Sequence, residues 1–193
     1  MFFDRLIANR GLPQFHIADT STRENRAGGN SGFARALSAA VFNPNFASIR
    51  TIVVVADNDG TPAENFDRVC AQVEKAGYPR PQAPLQPTAG RPRVVVVMLP
   101  STGEEGDLER LCVAAAHSAN AQVAGYVEAF AAQLGADQWP AQRAGKLHLR
   151  ASLSARDKDP FITLKHAFQN EQNLIPLAHA SFNPIVDLLR SLA

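Results

Sequence analysis

Two aspartates one residue apart, Asp57 and Asp59, close the apolar run Ile52-Val53-Val54-Val55-Ala56. An apolar run with no polar alternation reads as a parallel strand buried on both faces. The Asp-x-Asp then falls where that strand leaves the sheet, the edge at which open α/β sheets hold their ligands. Two carboxylates so close together are costly unless a positive charge offsets them. A divalent cation is the usual one, so the pair points to metal-dependent phosphate chemistry. A second apolar run, Val94 to Leu99, is followed by Glu104, Glu105, Asp107 and Glu109. If the two strands are parallel neighbours, their carboxyl ends bring Asp57, Asp59 and a member of this cluster together. Hard oxygen donors of that kind suit Mg²⁺ or Mn²⁺. Two such ions about 4 Å apart could activate a water and stabilise a leaving oxygen in phosphodiester cleavage.

Plainer readings stand beside these. Acidic residues after a strand often complement the positive end of a helix, and Asp107 is a competent N-cap. Glu104 and Glu105 read equally as surface charge, and Asn58 and Gly60 as turn residues. Arg143, Lys146 and Arg150 fall at i, i+3 and i+7, one face of a predicted helix. That basic stripe suits a nucleic-acid phosphate backbone, or a solvated helix face. It lacks the interleaved aromatics of a base-stacking platform. Gly28-Gly29-Asn30-Ser31-Gly32 lacks the Walker lysine and the dinucleotide spacing, and reads as a flexible turn rather than a phosphate cradle.

The elements that must position these residues follow from periodicity and punctuation. Phe2, Phe3, Leu6 and Ile7 repeat at helical spacing until Gly11-Leu12-Pro13. Gln14 to Ala18 reads as a short strand, Phe33 to Phe42 as a helix, and Thr51 to Ala56 as the buried strand. Thr61-Pro62 opens the next helix, with Glu64 placed for a capping box and Gly77 as its stop. Pro79, Pro81, Pro84, Pro87 and Pro92 predict extended loop, with a short edge strand near Leu85. After the strand Val94–Leu99 the chain turns helical, over 107–120, 123–134, 142–155 and 163–170. A last amphipathic helix follows Asn183-Pro184. The order predicts an α/β fold: a mainly parallel, Rossmann-like sheet flanked by helices, with a helical C-terminal section.

The 193 residues suit one domain with an appended section. With 46% hydrophobic and 19% charged residues the composition is globular rather than disordered. A formal charge of +1 excludes global basicity, so nucleic-acid contact would need a local patch. Apolar runs fall short of the roughly 18 residues of a membrane span, and the N-terminus lacks the pattern of a secretory signal. A cytoplasmic protein without a membrane partner is expected. Cys70 and Cys112 lie on apolar helical stripes and read as buried thiols. The five histidines show no metal-ligand spacing.

The segment Ile52 to Asp59 resembles the DxD strand of the Toprim fold. Pro100, the loop after it, and Gly106-Asp107-Leu108-Glu109 resemble the segment that follows the next strand. With the helical tail, the chain is similar to a Toprim-like family of unknown function allied to the OLD-family nucleases. The resemblance spans most of the chain on few diagnostic residues. It implies a Toprim-like core over 1–120 and a helical extension over 121–193. In the related nucleases the DxD carboxylates bind catalytic metal, which falls here on Asp57 and Asp59. A later glutamate serves a second metal, matched by Glu109 with Asp107 beside it, and a lysine near the substrate phosphate is matched by Lys146.

Toprim proteins also carry a glutamate on a first strand, ahead of helix one. Here Met1 stands where that strand should already have ended, so the first strand is expected to be missing. Either the protein starts earlier or the domain lacks an acid/base. An unpaired sheet edge would invite a homodimer or a partner chain to complete the sheet. Two other functions remain open. One is a degenerate module that binds nucleic acid or a partner without cutting. The other is a haloacid-dehalogenase-like phosphatase, whose DxDxT motif is matched by Asp57, Asp59 and Thr61, with Ser101 or Thr102 and Lys146 available for its later motifs.

Overall fold

A computed structural model of the protein describes residues 2–18, 32–170 and 172–192. Its elements in chain order are α1 (Phe2–Asn9), α2 (Phe33–Ala40), β1 (Thr51–Asp57), α3 (Pro62–Lys75), β2 (Arg93–Leu99), α4 (Leu108–Ser118), α5 (Ala121–Gln133), α6 (Ala141–Ser154), α7 (Leu164–Ala167) and α8 (Asn183–Ser191). The fold is α/β, with a two-stranded parallel sheet, flanking helices and a helical C-terminal region. It packs as two compact units, Ala18–Glu105 and Met1–Ile17 with Gly106–Ala193. The division therefore falls at Gly106, and α1 joins the helical unit.

In the α/β unit, β1 and β2 run parallel in the register Thr51↔Arg93 to Asp57↔Leu99. One face of the sheet, formed by Val54, Ala56, Val94, Val96 and Met98, packs on Phe33 and Leu37 of α2 and on Val69 and Val73 of α3. Helix α3 ends in a Schellman motif. Gly77, at φ +86°, lets its own N–H reach Glu74 O at 2.9 Å and the Tyr78 N–H reach Val73 O at 3.2 Å. The expectation of burial on both faces holds for β2, whose Val94 to Leu99 are all buried, but not for β1. Val54 and Ala56 are buried, whereas Ile52, Val53 and Val55 are half-buried.

The outer side of β2 is partly covered by the proline-rich loop. Leu85 N–H donates to Val96 O at 2.8 Å and Thr88 N–H to Val94 O at 2.9 Å. No regular strand forms there, since Pro84 and Pro87 have no N–H to donate and Leu85 takes φ +64°. Two further expectations are corrected. Gln14 to Ala18 is not a strand, because no strand among the described residues hydrogen-bonds to it. Thr61 is the N-cap of α3 with Pro62 behind it, but its side chain makes no capping hydrogen bond, so the capping box is not formed. Residues 19–31, with most of the glycine-rich stretch Gly28–Gly32, lie outside the described residues.

The helical unit is built on α4, α5 and α6. Phe2 of α1 packs on Phe168 and Phe182, with ring centroids 5.2 and 5.6 Å apart. Arg10 donates to Leu177 O at 3.2 Å and to Asn183 Oδ1 at 2.7 Å, tying the chain start to the tail. Both cysteines are buried. Burial pushes the Cys70 thiol up to about 11 and raises that of Cys112 still further, which suits inert packing residues rather than nucleophiles.

Candidate functional site

The Asp-x-Asp turn is built by a buried asparagine. Asn58 N–H donates to Leu99 O at 2.8 Å, which extends the strand pairing one residue past Asp57. Its side chain is fully buried and Nδ2 donates to Ser101 O at 3.2 Å and to Glu104 O at 2.8 Å. The loops leaving both strands are thereby held together. Asn58 Oδ1 is buried with no hydrogen-bond partner among the described residues. Such an orphaned acceptor is uncommon and calls for an explanation, such as a water or an ion.

On either side of Asn58, Asp57 is half-buried and Asp59 is exposed. The Asp59 carbonyl accepts from Asn65 Nδ2, and Asn65 Oδ1 accepts from Arg68, so the first turn of α3 grips the loop. Gly60, at φ +89°, makes the left-handed turn between them, a conformation that a side chain would strain. Asp59 thus stands just ahead of the N-terminus of the 14-residue helix α3. Unpaired N–H groups and the helix dipole favour anions there, the carboxylate itself or a phosphate. Asn65, Arg68 and the latching role of Asn58 were not anticipated. The signal for Asn65 was its place at i−4 from Val69, a polar residue on a buried stripe.

The donor set bears on which metal the turn could hold. Among the described residues no group of three or more His, Cys, Asp or Glu is placed to hold an ion. Mg²⁺, however, is commonly bound by one or two carboxylates with waters and substrate phosphates filling the remaining positions. Asp57 and Asp59 fit a single hard, water-rich ion of that kind. They do not amount to a preassembled two-ion cage.

The remaining candidates lie in the helical unit. Asp107 is the N-cap of α4. It is 2% exposed, and Oδ1 accepts the Arg110 N–H at 3.0 Å. Its Oδ2 makes no hydrogen bond among the described residues, but lies 3.0 Å from Lys146 Nζ in an ion pair. That ion pair depends on close approach of α4 and α6. A Cβ on the buried Gly145 would stand 3.1 Å from Arg110 Cα and 3.3 Å from its nitrogen, so any side chain there presses on the first turn of α4. Glu109 is half-buried on the same turn. Arg143, Lys146 and Arg150 are all exposed, so the stripe lies at the surface. Arg143 stacks on Trp139, its guanidinium carbon 3.8 Å from the ring centroid.

One titratable pair was read only as scattered histidines. His117 of α4 and His148 of α6 are neighbours, ring centroids 5.7 Å apart, and each has a buried ring nitrogen without a hydrogen-bond partner among the described residues. Glu128 of α5 lies 3.6 Å from His117 Nδ1. Burial lowers the pKa of both rings, and for His148 the nearby His117 and Arg110 lower it further. A base with a folded pKa below its unfolded value binds fewer protons when folded. Its neutral form therefore supports the fold above the unfolded value near 6.5, and that support is lost as pH falls below it. The melting temperature of the protein should fall between neutral pH and pH about 5, with a shallower fall in His117→Gln/His148→Gln. An equal slope in both proteins would exclude the pair as its source.

A family model described as "Protein of unknown function (DUF3226)" matches residues 1–193. No curated protein and no solved structure matches the chain.

Proposed function

The chain belongs to the DUF3226 family of proteins of unknown function, and on that premise we propose a Toprim-like protein that performs divalent-metal-dependent phosphodiester chemistry on nucleic acid, of the nuclease type. The observation that carries this reading is the Asp57-Asn58-Asp59 turn. It sets two carboxylates at the carboxyl end of a parallel strand, around a latched asparagine with an orphaned oxygen, and just ahead of a helix N-terminus. In this reading Asp57 and Asp59 hold Mg²⁺ or Mn²⁺. When bound, the ion would supply charge stabilisation at the reacting phosphate. The N-terminus of α3 would orient an anionic phosphate beside it. The stripe Arg143, Lys146 and Arg150 would bind the phosphate backbone in a salt-dependent way. Glu109 is the residue of α4 offered for a second ion, since Asp107 is engaged in capping and in its ion pair.

That engagement of Asp107 also favours a second reading, a module that binds nucleic acid or a partner without cutting it. The two separate in one assay of single- and double-stranded DNA and RNA, with and without Mg²⁺ or Mn²⁺. The nuclease reading expects cleavage that needs the metal. Salt-sensitive binding without turnover would assign the binding module instead. Release of phosphate from a small phosphomonoester through a trapped aspartyl-phosphate on Asp57 would replace both with a phosphatase.

A further inference from the structure

The contact of α4 with α6 at Arg110 and Gly145 continues along both helices. His117 lies about two turns beyond Arg110 and His148 about one turn beyond Gly145, and there the two rings meet with centroids 5.7 Å apart. Their planes are tilted by 52°, so they do not stack face to face. His117 Nε2 and His148 Nδ1 are both buried and have no hydrogen-bond partner among the described residues. One such nitrogen is costly to leave unsatisfied, and two at one place call for a shared partner.

The pair also has a supporting carboxylate. Glu128 of α5 sets Oε1 3.6 Å from His117 Nδ1, which favours the proton on that nitrogen and leaves Nε2 a lone pair. With its own proton on Nε2, His148 offers Nδ1 in the same way. Burial depresses the pKa of both rings, so near neutral pH both are uncharged, as metal ligands must be. A carboxylate behind a ligating histidine is a common arrangement at metal centres, where it fixes the tautomer and the ring orientation.

We infer that His117 Nε2 and His148 Nδ1 bind one transition-metal ion of the Zn²⁺, Ni²⁺ or Cu²⁺ class, with Glu128 positioning His117 from behind. Imidazole nitrogens suit these ions, whereas Mg²⁺ prefers oxygen. Two imidazoles on one ion, with metal–nitrogen bonds of about 2.0–2.1 Å, hold their centroids roughly 5–6 Å apart. The observed 5.7 Å falls within that range. Among the described residues no group of three or more His, Cys, Asp or Glu is placed to hold an ion, so water completes the coordination shell. Solvent can reach the site, since the His117 side chain is 15% exposed and that of Glu128 is 64% exposed. Arg110 adds a positive charge near His148, and the Glu128 carboxylate offsets it. The ion would join α4 to α6 inside the helical unit. Its chemistry differs from that of the hard-ion turn at Asp57 and Asp59, and neither site needs the other.

Calorimetric titration of the full chain with Zn²⁺ at neutral pH, in excess Mg²⁺ to occupy the aspartate turn, should show one site per chain. The melting temperature should rise with free Zn²⁺. His117→Gln/His148→Gln should abolish this binding, Glu128→Gln should weaken it about tenfold, and Asp57→Ala/Asp59→Ala should leave it unchanged. Magnetic resonance of the native chain needs no variant to fold. On addition of Zn²⁺ the ring signals of His117 and His148 should shift, while those of His16, His166 and His179 stay in place. A water shared by the two rings would instead leave their signals unmoved. That result would overturn the inference, as would Zn²⁺ binding retained in His117→Gln/His148→Gln.

Discussion

Metal-dependent cleavage of nucleic acid falls at least about tenfold in Asp57→Ala/Asp59→Ala, because the charge stabilisation a bound ion gives a reacting phosphate is worth several kcal/mol. The loss is expected in turnover rather than in folding. Asp59 is exposed, and exposed substitutions usually change stability by no more than about 0.5 kcal/mol. The melting temperature, measured alongside, should therefore change far less than the metal-dependent activity does. Cleavage that persists unchanged would belong to a contaminant. A parallel collapse of activity and melting temperature would instead make the aspartates structural.

The second large effect is on stability. Gly145→Val should destabilise the protein by about 2 kcal/mol or more, within the range for forcing extra atoms into a packed interior. The obstructing atoms are the Cα, Cβ and nitrogen of Arg110, in the first turn of α4, and a helix backbone cannot rotate aside as a long side chain can. Gly145→Ala is the milder test. Alanine gains about 1 kcal/mol in helix propensity, which offsets part of the cost of contacts at 3.1 Å. Chemical denaturation of both variants checks the order, with valine well below alanine. The Lys146–Asp107 ion pair should loosen with the helix contact, although Lys146 is half-exposed and the pair adds little stability by itself. A valine variant as stable as the native protein would show that α6 has room to move.

Much of this fold was legible because its signals are local. Asn43-Pro44, Gly77, Thr61-Pro62 and Asn183-Pro184 punctuate the chain close to the observed ends of α2, α3 and α8. The same reading gave Gln14–Ala18 as a strand, and there it fails for a general reason. A strand exists only through its neighbour, and alternation in five residues cannot reveal whether one is present. The same limit explains β1, whose apolar run matches that of β2 although one is half-buried and the other is buried throughout.

At the candidate site the aspartates were visible from sequence, but what holds them was not. Asn58 looked like a turn residue, and its grip on Ser101 O and Glu104 O joins positions more than forty residues apart. Asp107 was readable both as ligand and as N-cap, and its hydrogen bond to the Arg110 N–H gives the cap. The neighbourhood of His117 and His148 needed two helices to pack before it could be seen.

Whether Asp57 and Asp59 hold a hard divalent ion is read by Mn²⁺ titration followed by electron paramagnetic resonance. The native chain should deplete the free Mn²⁺ signal, Mg²⁺ should compete, and Asp57→Ala/Asp59→Ala should abolish the depletion. Equal Mn²⁺ binding by the native and doubly substituted chains, or none by either, would contradict it.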